Sequence, residues 1–281
     1  MKTRESRYVR VARIAYRLAE ETVPRYAHPK SPHRFTQPQL VACVLLMVYV
    51  KVSYRDMEEW LLASDQVCQV LELKQVPDHS TLSRAFKRLR LADLERMNRQ
   101  LLDQLGVGGE EVIGLDATGY SPTQASVYYR TRSRRSYTRW VKGVYAVGAG
   151  SQMILAWRQG KGPGGDNVFL NGLRRAAARY GKPHWLLVAD AGFDGRSARP
   201  TDLIPPIRKG RVFRGWVDPQ RRARAERVAA ARLDGVMGLR WLCETAHSVI
   251  KRKFGDTIRS RSRQSQRREP AIKGLVYNIH R

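Results

Sequence analysis

The pattern of this 281-residue chain changes once, at the glycine-rich stretch GVGGE at residues 106–110. Before it, apolar residues recur at helical spacing. After it come short runs rich in β-branched and aromatic residues, and then helices alternating with strands. Glycine at the change favours a break in regular structure. We therefore predict an all-helical N-terminal domain at residues 1–106 and an α/β domain from residue 111.

The N-terminal part is predicted to hold five helices that begin according to capping rules. Ser and Thr side chains accept hydrogen bonds from the first turn of a helix, and Pro fits there because it lacks an N–H. The predicted helices span residues 4–20, Thr36 to about Val50 with Pro38 in the first turn, Ser53 to Leu62, about 80–90 with Ser80 as the cap, and about 91–105.

The second part is predicted to form a mixed sheet. Its first strands form an antiparallel meander, and a near-continuous apolar run at residues 184–190 is typical of a buried parallel strand. Asp166 opens a predicted helix that ends at Gly181 as its C-cap. The other predicted elements are strands at 112–120, 126–132, 142–149 and 153–159, and helices at 219–233 and 239–253.

The charge of the chain is strongly basic and uneven. The sequence has 52 Lys and Arg against 25 Asp and Glu, a net charge of +27, and residues 111–281 hold 34 of the basic and only 12 of the acidic residues. A hydrophobic content of 42% excludes wholesale disorder. The surplus indicates a polyanionic partner, with nucleic acid and anionic membrane as the candidates.

Membrane insertion and export are not expected. The longest apolar run, Leu40–Val50, is too short to span a bilayer and suits a core helix or a dimer contact. We find no secretory signal at the N-terminus. The isolated Cys43, Cys68 and Cys243 predict neither a disulfide framework nor a zinc site, so a reducing cytoplasm is the expected compartment.

Two aspartates stand within or at the end of apolar strands. Asp116 follows VIGL and Asp190 follows LLVA. Ligand sites in α/β sheets lie beyond the carboxyl ends of strands, where the two aspartates converge if their strands are neighbours. Two adjacent carboxylates require a neutralising cation or proton. Oxygen ligands suit Mg²⁺ or Mn²⁺.

Glu244 is a third acid, on a predicted helix. The face that carries it holds Arg240, His247 or Ser248, and Lys251, a mixture suited to a metal ion and a DNA phosphate. Each acid also has a simpler interpretation. Asp116 could cap a turn, Asp190 could start the turn AGFDG, and Glu244 could pair with Arg240. The three together, in a basic domain, favour a metal site.

These residues resemble the motifs of the DDE transposases of bacterial insertion sequences, particularly the group around insertion sequences four and five. GLDAT is similar to the strand of the first Asp, VADAGFD to that of the second, and the R-x3-E-x6-K spacing from Arg240 to Lys251 to the signature around the Glu. Met237 stands where the full signature has Tyr. PDHSTLSRAFKRL, SYRDMEEWL and KGLVYNIHR resemble the family's helical region and C-terminus.

The resemblance implies a fold, a reaction and a metal centre. The fold would be a ribonuclease-H-like mixed sheet flanked by helices, at residues 111–258, preceded by the helical domain and followed by a basic tail at 259–281. The enzyme would cut the ends of an insertion sequence and transfer the 3′-hydroxyl to target DNA. Asp116 would bridge two Mg²⁺ or Mn²⁺ ions, with Asp190 on one ion and Glu244 on the other.

DNA contacts are predicted at several basic segments. Arg240 and Lys251 would grip a phosphate near the scissile bond. Residues 126–142 interleave cations with aromatic side chains, which suits phosphates and unpaired bases, although a solvated hairpin fits the same pattern. A short capped helix suits the recognition helix of a helix-turn-helix, or a packing helix with a charged outer face. The candidate contacts in these two segments are Arg130, Arg132, Arg134, Arg135, Arg139, Trp140 and Lys142, and Arg84, Lys87 and Arg88.

Two smaller features stay open. The basic stretch from Arg259 to Arg268 suits a phosphate-binding arm or plain solubilising charge. Asp166 is interpreted as a helix cap, and a lesser hypothesis places it near the active site.

Three functions therefore compete. The first is a transposase acting as a dimer or larger assembly on double-stranded DNA, namely paired terminal inverted repeats and a target, near the nucleoid. The second is a metal-dependent nuclease or resolvase on the same fold, which would cut but not join. The third is a DNA-binding protein derived from a transposase without chemistry. Membrane binding ranks last.

Overall fold

In the computed structural model, residues 5–30, 32–122, 140–207 and 218–281 are described. The chain divides into two compact units. The first comprises Met1–Leu105, Ile250–Gly255 and Ser260–Arg281, and the second comprises Gly106–Val249 and Asp256–Arg259. The division at residue 106 coincides with the change of pattern in the sequence.

The first unit is helical. Thr36 and Ser53 cap their helices as predicted, each in a reciprocal capping box with the third helical residue. The helix predicted at about 80–90 has Asp78 as its N-cap, so the prediction that Ser80 is the cap is wrong. The Asp78 carboxylate accepts hydrogen bonds from the backbone of Ser80 and Thr81, which starts this helix one residue earlier. The helices are α1 (Arg7–Thr22), α2 (Gln37–Val50), α3 (Tyr54–Leu62), α4 (Asp65–Val70), which the sequence analysis missed, α5 (His79–Arg88) and α6 (Leu91–Gln104).

Helix α2 forms the apolar centre of this unit. Every residue from Val41 to Met47 is buried. Of the two interpretations of the apolar run, core helix or dimer contact, the structure therefore agrees with the core helix. Within the part of the chain that the structure describes, no helix combines the length and hydrophobicity needed to cross a membrane.

The segment that the sequence suggested as a basic tail contains a further helix of the first unit, Arg263–His280, which begins at the cap Ser262. The basic residues near Arg268 lie in its first turns, and residues 268–279 are buried. The Asn278 side chain donates a 2.7 Å hydrogen bond to Asn98 on α6.

The second unit is built on a five-stranded mixed sheet. Its strands are β1 (Glu110–Pro122), β2 (Val141–Gly148), β3 (Ile154–Lys161), β4 (Gly181–Ala189) and β5 (Thr257–Ile258). The order is β3-β2-β1-β4, and β5 pairs with the end of β1. Strands β1, β2 and β3 are antiparallel neighbours, whereas β1 and β4 are parallel. This sheet confirms the predicted ribonuclease-H-like α/β fold. The predicted strand at 126–132 lies outside the described residues.

Helices flank this sheet. They are α7 (Leu170–Ala177), α8 (Pro219–Leu233) and α9 (Trp241–Phe254), and we name the C-terminal helix of the first unit α10. Apolar side chains of α8 pack against β1 and β4 through a buried cluster that includes Val112, Val188 and Val228. The helical stretch ends at Gly181 as predicted, because Gly181 is the C-cap of the 3₁₀ turn Ala178–Tyr180 that directly follows α7. Gly181 has a φ of −82° and begins β4, where a side chain would collide with the ring of Trp185.

A buried ion cluster ties α8 to the segment that follows β4. The Asp194 carboxylate is completely buried and binds the guanidinium of Arg224, itself only 2% exposed. The same carboxylate contacts Arg221 at 2.9 Å and accepts a 3.0 Å hydrogen bond from the backbone N–H of Ile207. Since a buried charge without its partner is costly, this cluster fixes the position of α8.

We expect Asp194→Asn to destabilise the protein by about 3–5 kcal/mol, because it leaves the Arg224 charge buried without compensation. Urea-induced unfolding followed by circular dichroism measures the loss. The matched control is Glu226→Gln, which breaks an exposed ion pair with Arg222 on the same helix and should change little. Equal stability of the two variants would contradict a structural role for the buried cluster.

Candidate active site

The parallel pairing of β1 with β4 brings two of the predicted acids together. Leu115 pairs with Ala189 in the register of these strands, and the next residue on each strand is an aspartate. Asp116 and Asp190 therefore lie side by side at the carboxyl-terminal edge of the parallel pair. This is the edge where α/β sheets bind ligands.

Local hydrogen bonds orient both aspartates. One oxygen of Asp116, Oδ1, accepts a 2.9 Å hydrogen bond from the backbone N–H of Ala117. Asp190 Oδ1 accepts one of the same length from Gly192 and so caps the short 3₁₀ turn Ala191–Phe193. The simpler interpretation of Asp190 as a turn residue is thus also correct, and the two roles are compatible because a carboxylate has further acceptor positions.

The charges around Asp190 oppose its ionisation. Burial raises the pKa of Asp190, and the negative charges of Asp116 and Asp166 raise it further. The N–H of Gly192 and the guanidinium of Arg240 act in the opposite direction. A carboxyl group whose pKa is raised by a neighbouring carboxylate is in an environment that a bound divalent cation stabilises.

Asp166 belongs to the surroundings of this pair. A side chain on Gly192 would place its Cβ 3.1 Å from Asp166 Oδ2 and 3.0 Å from Asp190 Oδ1, so the two carboxylates face the same small space. Asp166 is the first residue of a 3₁₀ turn whose N-cap is Gly165, so it opens the helical stretch as predicted but the prediction that it is the cap is wrong. Its carboxylate instead forms a salt bridge with the Lys142 ammonium group.

Lys142 is therefore engaged inside the second unit. It is 6% exposed, and its ammonium also donates a 2.5 Å hydrogen bond to the carbonyl of Gly164 and lies 5.5 Å from the ring centre of Trp140. As a DNA contact, Lys142 would have to leave Asp166.

The third acid comes from α9, which lies close against β1. A Cβ on Gly114 would be 2.5 Å from the Cys243 sulfur, so only glycine permits this approach. Glu244 follows Cys243 and is half exposed. Its carboxylate forms a 2.5 Å salt bridge with Arg240, whose other terminal nitrogen lies 4.0 Å from Asp116 Oδ2. The simpler interpretation of Glu244 as an ion-pair partner thus holds, but the same guanidinium also reaches toward Asp116.

The next turn of α9 contains His247 and Ser248, and the sequence did not decide which of the two lies on the same face as Glu244. Of the two alternatives on the predicted active face, Ser248 is exposed, whereas His247 is buried and faces the sheet. His247 Nδ1 lies 3.3 Å from Asp116 Oδ2. The four-residue step from Cys243 was the signal in the sequence, because residues four apart share one helix face.

The donor set fits a divalent cation of the magnesium type. Asp116, Asp190 and Glu244 offer oxygen atoms alone, which Mg²⁺ and Mn²⁺ prefer. Among the residues that the structure describes, no group of three or more His, Cys, Asp or Glu side chains is already arranged as a metal site. The salt bridge of Glu244 with Arg240 is a physical reason for this, since the guanidinium engages one of the oxygen donors.

The remaining predicted residues are dispersed. Lys251 lies on α9, in the part of that helix that belongs to the first unit. Arg84, Lys87 and Arg88 are exposed on α5. The predicted contacts outside the described residues are Arg130, Arg132, Arg134, Arg135 and Arg139.

A comparison with protein families provides independent information on the second part of the chain. Residues 107–279 match the family model described as "Transposase DDE domain". The match covers more than half of the chain and includes both aspartates and Glu244. A search of curated proteins found no match.

We expect Gly114→Ala to destabilise the second unit by about 1–3 kcal/mol, because the added methyl group overpacks the contact with Cys243. Chemical denaturation measures the change. Gly114→Ala combined with Cys243→Ala should recover most of the loss, since the second substitution removes the colliding sulfur. A double variant no more stable than Gly114→Ala would contradict this close contact.

We expect Asp190→Asn to stabilise the metal-free protein at pH 7. Because the folded state raises the pKa of Asp190, the stability associated with its protonated form is lost as the pH rises through that pKa. Asparagine carries no charge and still accepts the Gly192 hydrogen bond. Thermal unfolding in EDTA should give a higher midpoint for the variant at pH 7, and the difference should shrink toward acidic pH. A lower midpoint at pH 7 would contradict the repulsion between the carboxylates.

Proposed function

Since this chain belongs to the family of transposases with a DDE domain, we propose that it cuts DNA at the ends of an insertion sequence and joins the freed 3′-hydroxyl to a target. The observation that carries the proposal is the adjacent position of Asp116 and Asp190 where the parallel pairing of β1 with β4 ends, beside the helix that bears Glu244. Two adjacent carboxylates that repel each other lower the stability of the fold, so a structural role alone does not account for them.

Asp116, Asp190 and Glu244 are the proposed ligands of two Mg²⁺ or Mn²⁺ ions. Ions of this kind, when bound, activate a nucleophile and stabilise the leaving oxygen in displacement at phosphorus. The chain orients the carboxylates. The Ala117 and Gly192 N–H groups each occupy one oxygen of an aspartate, and this leaves the second oxygen for other contacts.

Arg240 is proposed to bind a DNA phosphate near the scissile bond. Its guanidinium is 31% exposed and now neutralises Glu244. A metal ion at Glu244 would compete with Arg240 for this carboxylate. A phosphate is a suitable new partner, because guanidinium groups bind phosphate oxygens in a bidentate manner.

The DNA interface is proposed to extend over basic residues of both parts of the chain. Exposed Arg84, Lys87 and Arg88 on α5 suit a helix that reads the terminal inverted repeats. Lys251, Lys142 and the arginines between residues 130 and 139 remain proposed contacts to the phosphate backbone, and Trp140 remains a proposed stacking contact to an unpaired base. Recombination of paired ends calls for a dimer or larger assembly, which we propose to act on nucleoid DNA in the cytoplasm.

The proposal is tested with Asp116→Asn, Asp190→Asn and Glu244→Gln, incubated with Mg²⁺ and a plasmid that carries the coding sequence with its flanking genomic DNA. We expect each substitution to lower cleavage by at least about 10³-fold, because the chemistry requires all three ligands, while DNA affinity measured by mobility shift is retained. Glu226→Gln is the matched control and should cleave normally. Cleavage by any of the triad variants at the wild-type rate would refute the assignment.

Strand joining is tested separately with ends that are already nicked. A transposase joins these 3′-hydroxyls to a target plasmid in Mg²⁺. Cutting without joining would instead support a nuclease or resolvase. Binding without either reaction would support a DNA-binding protein derived from a transposase.

A further inference from the structure

We propose that His247 is a positioning residue for Asp116. Its Nδ1–H would donate a hydrogen bond to Asp116 Oδ2 and hold that carboxylate in the orientation needed for metal binding. This inference rests on the proposed function of the site, and it adds a buried side chain that supports a metal ligand without itself binding the ion or the DNA.

The first support is that four residues of α9 and two residues of β1 advance by nearly the same distance. Cys243 lies against Gly114, and His247 and Asp116 are the next residues on the same two faces. Four helical residues advance about 6 Å, and two strand residues advance about 6.6 Å. A helix seated on Gly114 therefore presents His247 to Asp116, which agrees with the 3.3 Å between Nδ1 and Oδ2.

The second support is the packing of the imidazole ring. Tyr145 lies opposite Asp116 in the register of β1 and β2, and its ring centre is 5.4 Å from that of His247 at an angle of 56°. Tyr145 is completely buried, and its hydroxyl forms a 2.8 Å hydrogen bond with the hydroxyl of Tyr120. The imidazole thus packs against the ring of Tyr145, which burial and the hydrogen bond to Tyr120 hold in place.

The third support is the unused nitrogen of the ring. The His247 side chain is 9% exposed. Its Nε2 is buried and has no hydrogen-bond partner among the residues that the structure describes. Burying a polar ring in this way costs free energy that a leucine of similar size would not. The contact of Nδ1 with Asp116 offsets that cost and gives a reason for histidine here.

The role follows from the chemistry of the carboxylate. Asp116 Oδ1 accepts the Ala117 N–H, and Oδ2 lies 3.3 Å from His247 Nδ1, so both oxygens of this carboxylate have a nitrogen close by. Hydrogen bonds to ligating carboxylates orient them, and their loss typically lowers metal affinity or activity about 10–100-fold. Nδ1 donates in the protonated imidazole and in the neutral tautomer that carries its proton on Nδ1, the tautomer that a carboxylate oxygen beside Nδ1 favours.

Binding of Mn²⁺ by the full chain, followed by the electron paramagnetic resonance signal of the free ion, tests the inference without any cleavage assay. His247→Leu should weaken Mn²⁺ binding about 10–100-fold. His247→Asn should bind within about threefold of wild type, because its amide nitrogen replaces Nδ1. His247→Gln should resemble His247→Leu, because its amide nitrogen corresponds to Nε2. Thermal unfolding of each variant confirms that it is folded.

The Asn and Gln variants separate positioning from space filling. Glutamine is closer in volume to histidine, so better binding by His247→Gln than by His247→Asn would overturn the inference, as would unchanged binding by His247→Leu. Asp116→Asn is the reference for a lost ligand. If Asp116→Asn loses the ion and His247→Leu keeps it, the inference fails and the proposed function stands. If wild type and Asp116→Asn bind Mn²⁺ alike, both fail.

Discussion

The candidate site depends on one structural constraint, the parallel register of β1 and β4. Because Leu115 pairs with Ala189 at the end of the parallel ladder, the next residue of each strand lies just beyond that ladder, and both of these residues are aspartates. A shift of one residue in this register would place one of the two side chains on the other face of its strand. The apolar cluster between α8 and the two strands, and the Asp194–Arg224 ion pair, hold this register.

Charge compensation is the second organising feature. The three acids and Asp166 form a group of four carboxyl groups, which two cations compensate in part, and the Arg240 guanidinium also lies 4.0 Å from Asp116 Oδ2. Arg240 neutralises Glu244, and Lys142 neutralises Asp166. Asp116 and Asp190 remain adjacent, with a raised pKa at Asp190. The chain thus tolerates electrostatic strain at the point where a divalent cation is proposed to bind, a frequent property of functional sites.

Much of this arrangement could be predicted from the sequence. Apolar runs that end in Asp identified the two strands, and capping residues marked α2 and α3, because both signals are local. The cap of α5 was misassigned because Asp78 and Ser80 both suit the position and only the folded backbone distinguishes them. Gly181 was predicted correctly as a C-cap, whereas its close packing against the Trp185 ring could not be predicted, because that contact depends on the folded path of β4.

The contribution of His247 could not be predicted for a different reason. On a helical projection His247 and Ser248 are both near Glu244, and the choice between them depends on which face of α9 meets the sheet. That face is determined by the contact of Gly114 with Cys243, which joins residues far apart in sequence. The salt bridge of Arg240 with Glu244 was predicted only as an alternative to a metal site. In the structure this salt bridge is present and Asp116 and Asp190 are also adjacent.

The most direct test of the shared metal centre is anomalous diffraction from crystals grown with Mn²⁺. We expect anomalous density in contact with both Asp116 and Asp190, with the Glu244 carboxylate released from Arg240 and turned toward the ion. Density at other acids, or Mn²⁺ bound while Asp116 and Asp190 make no contact with it, would contradict the central claim.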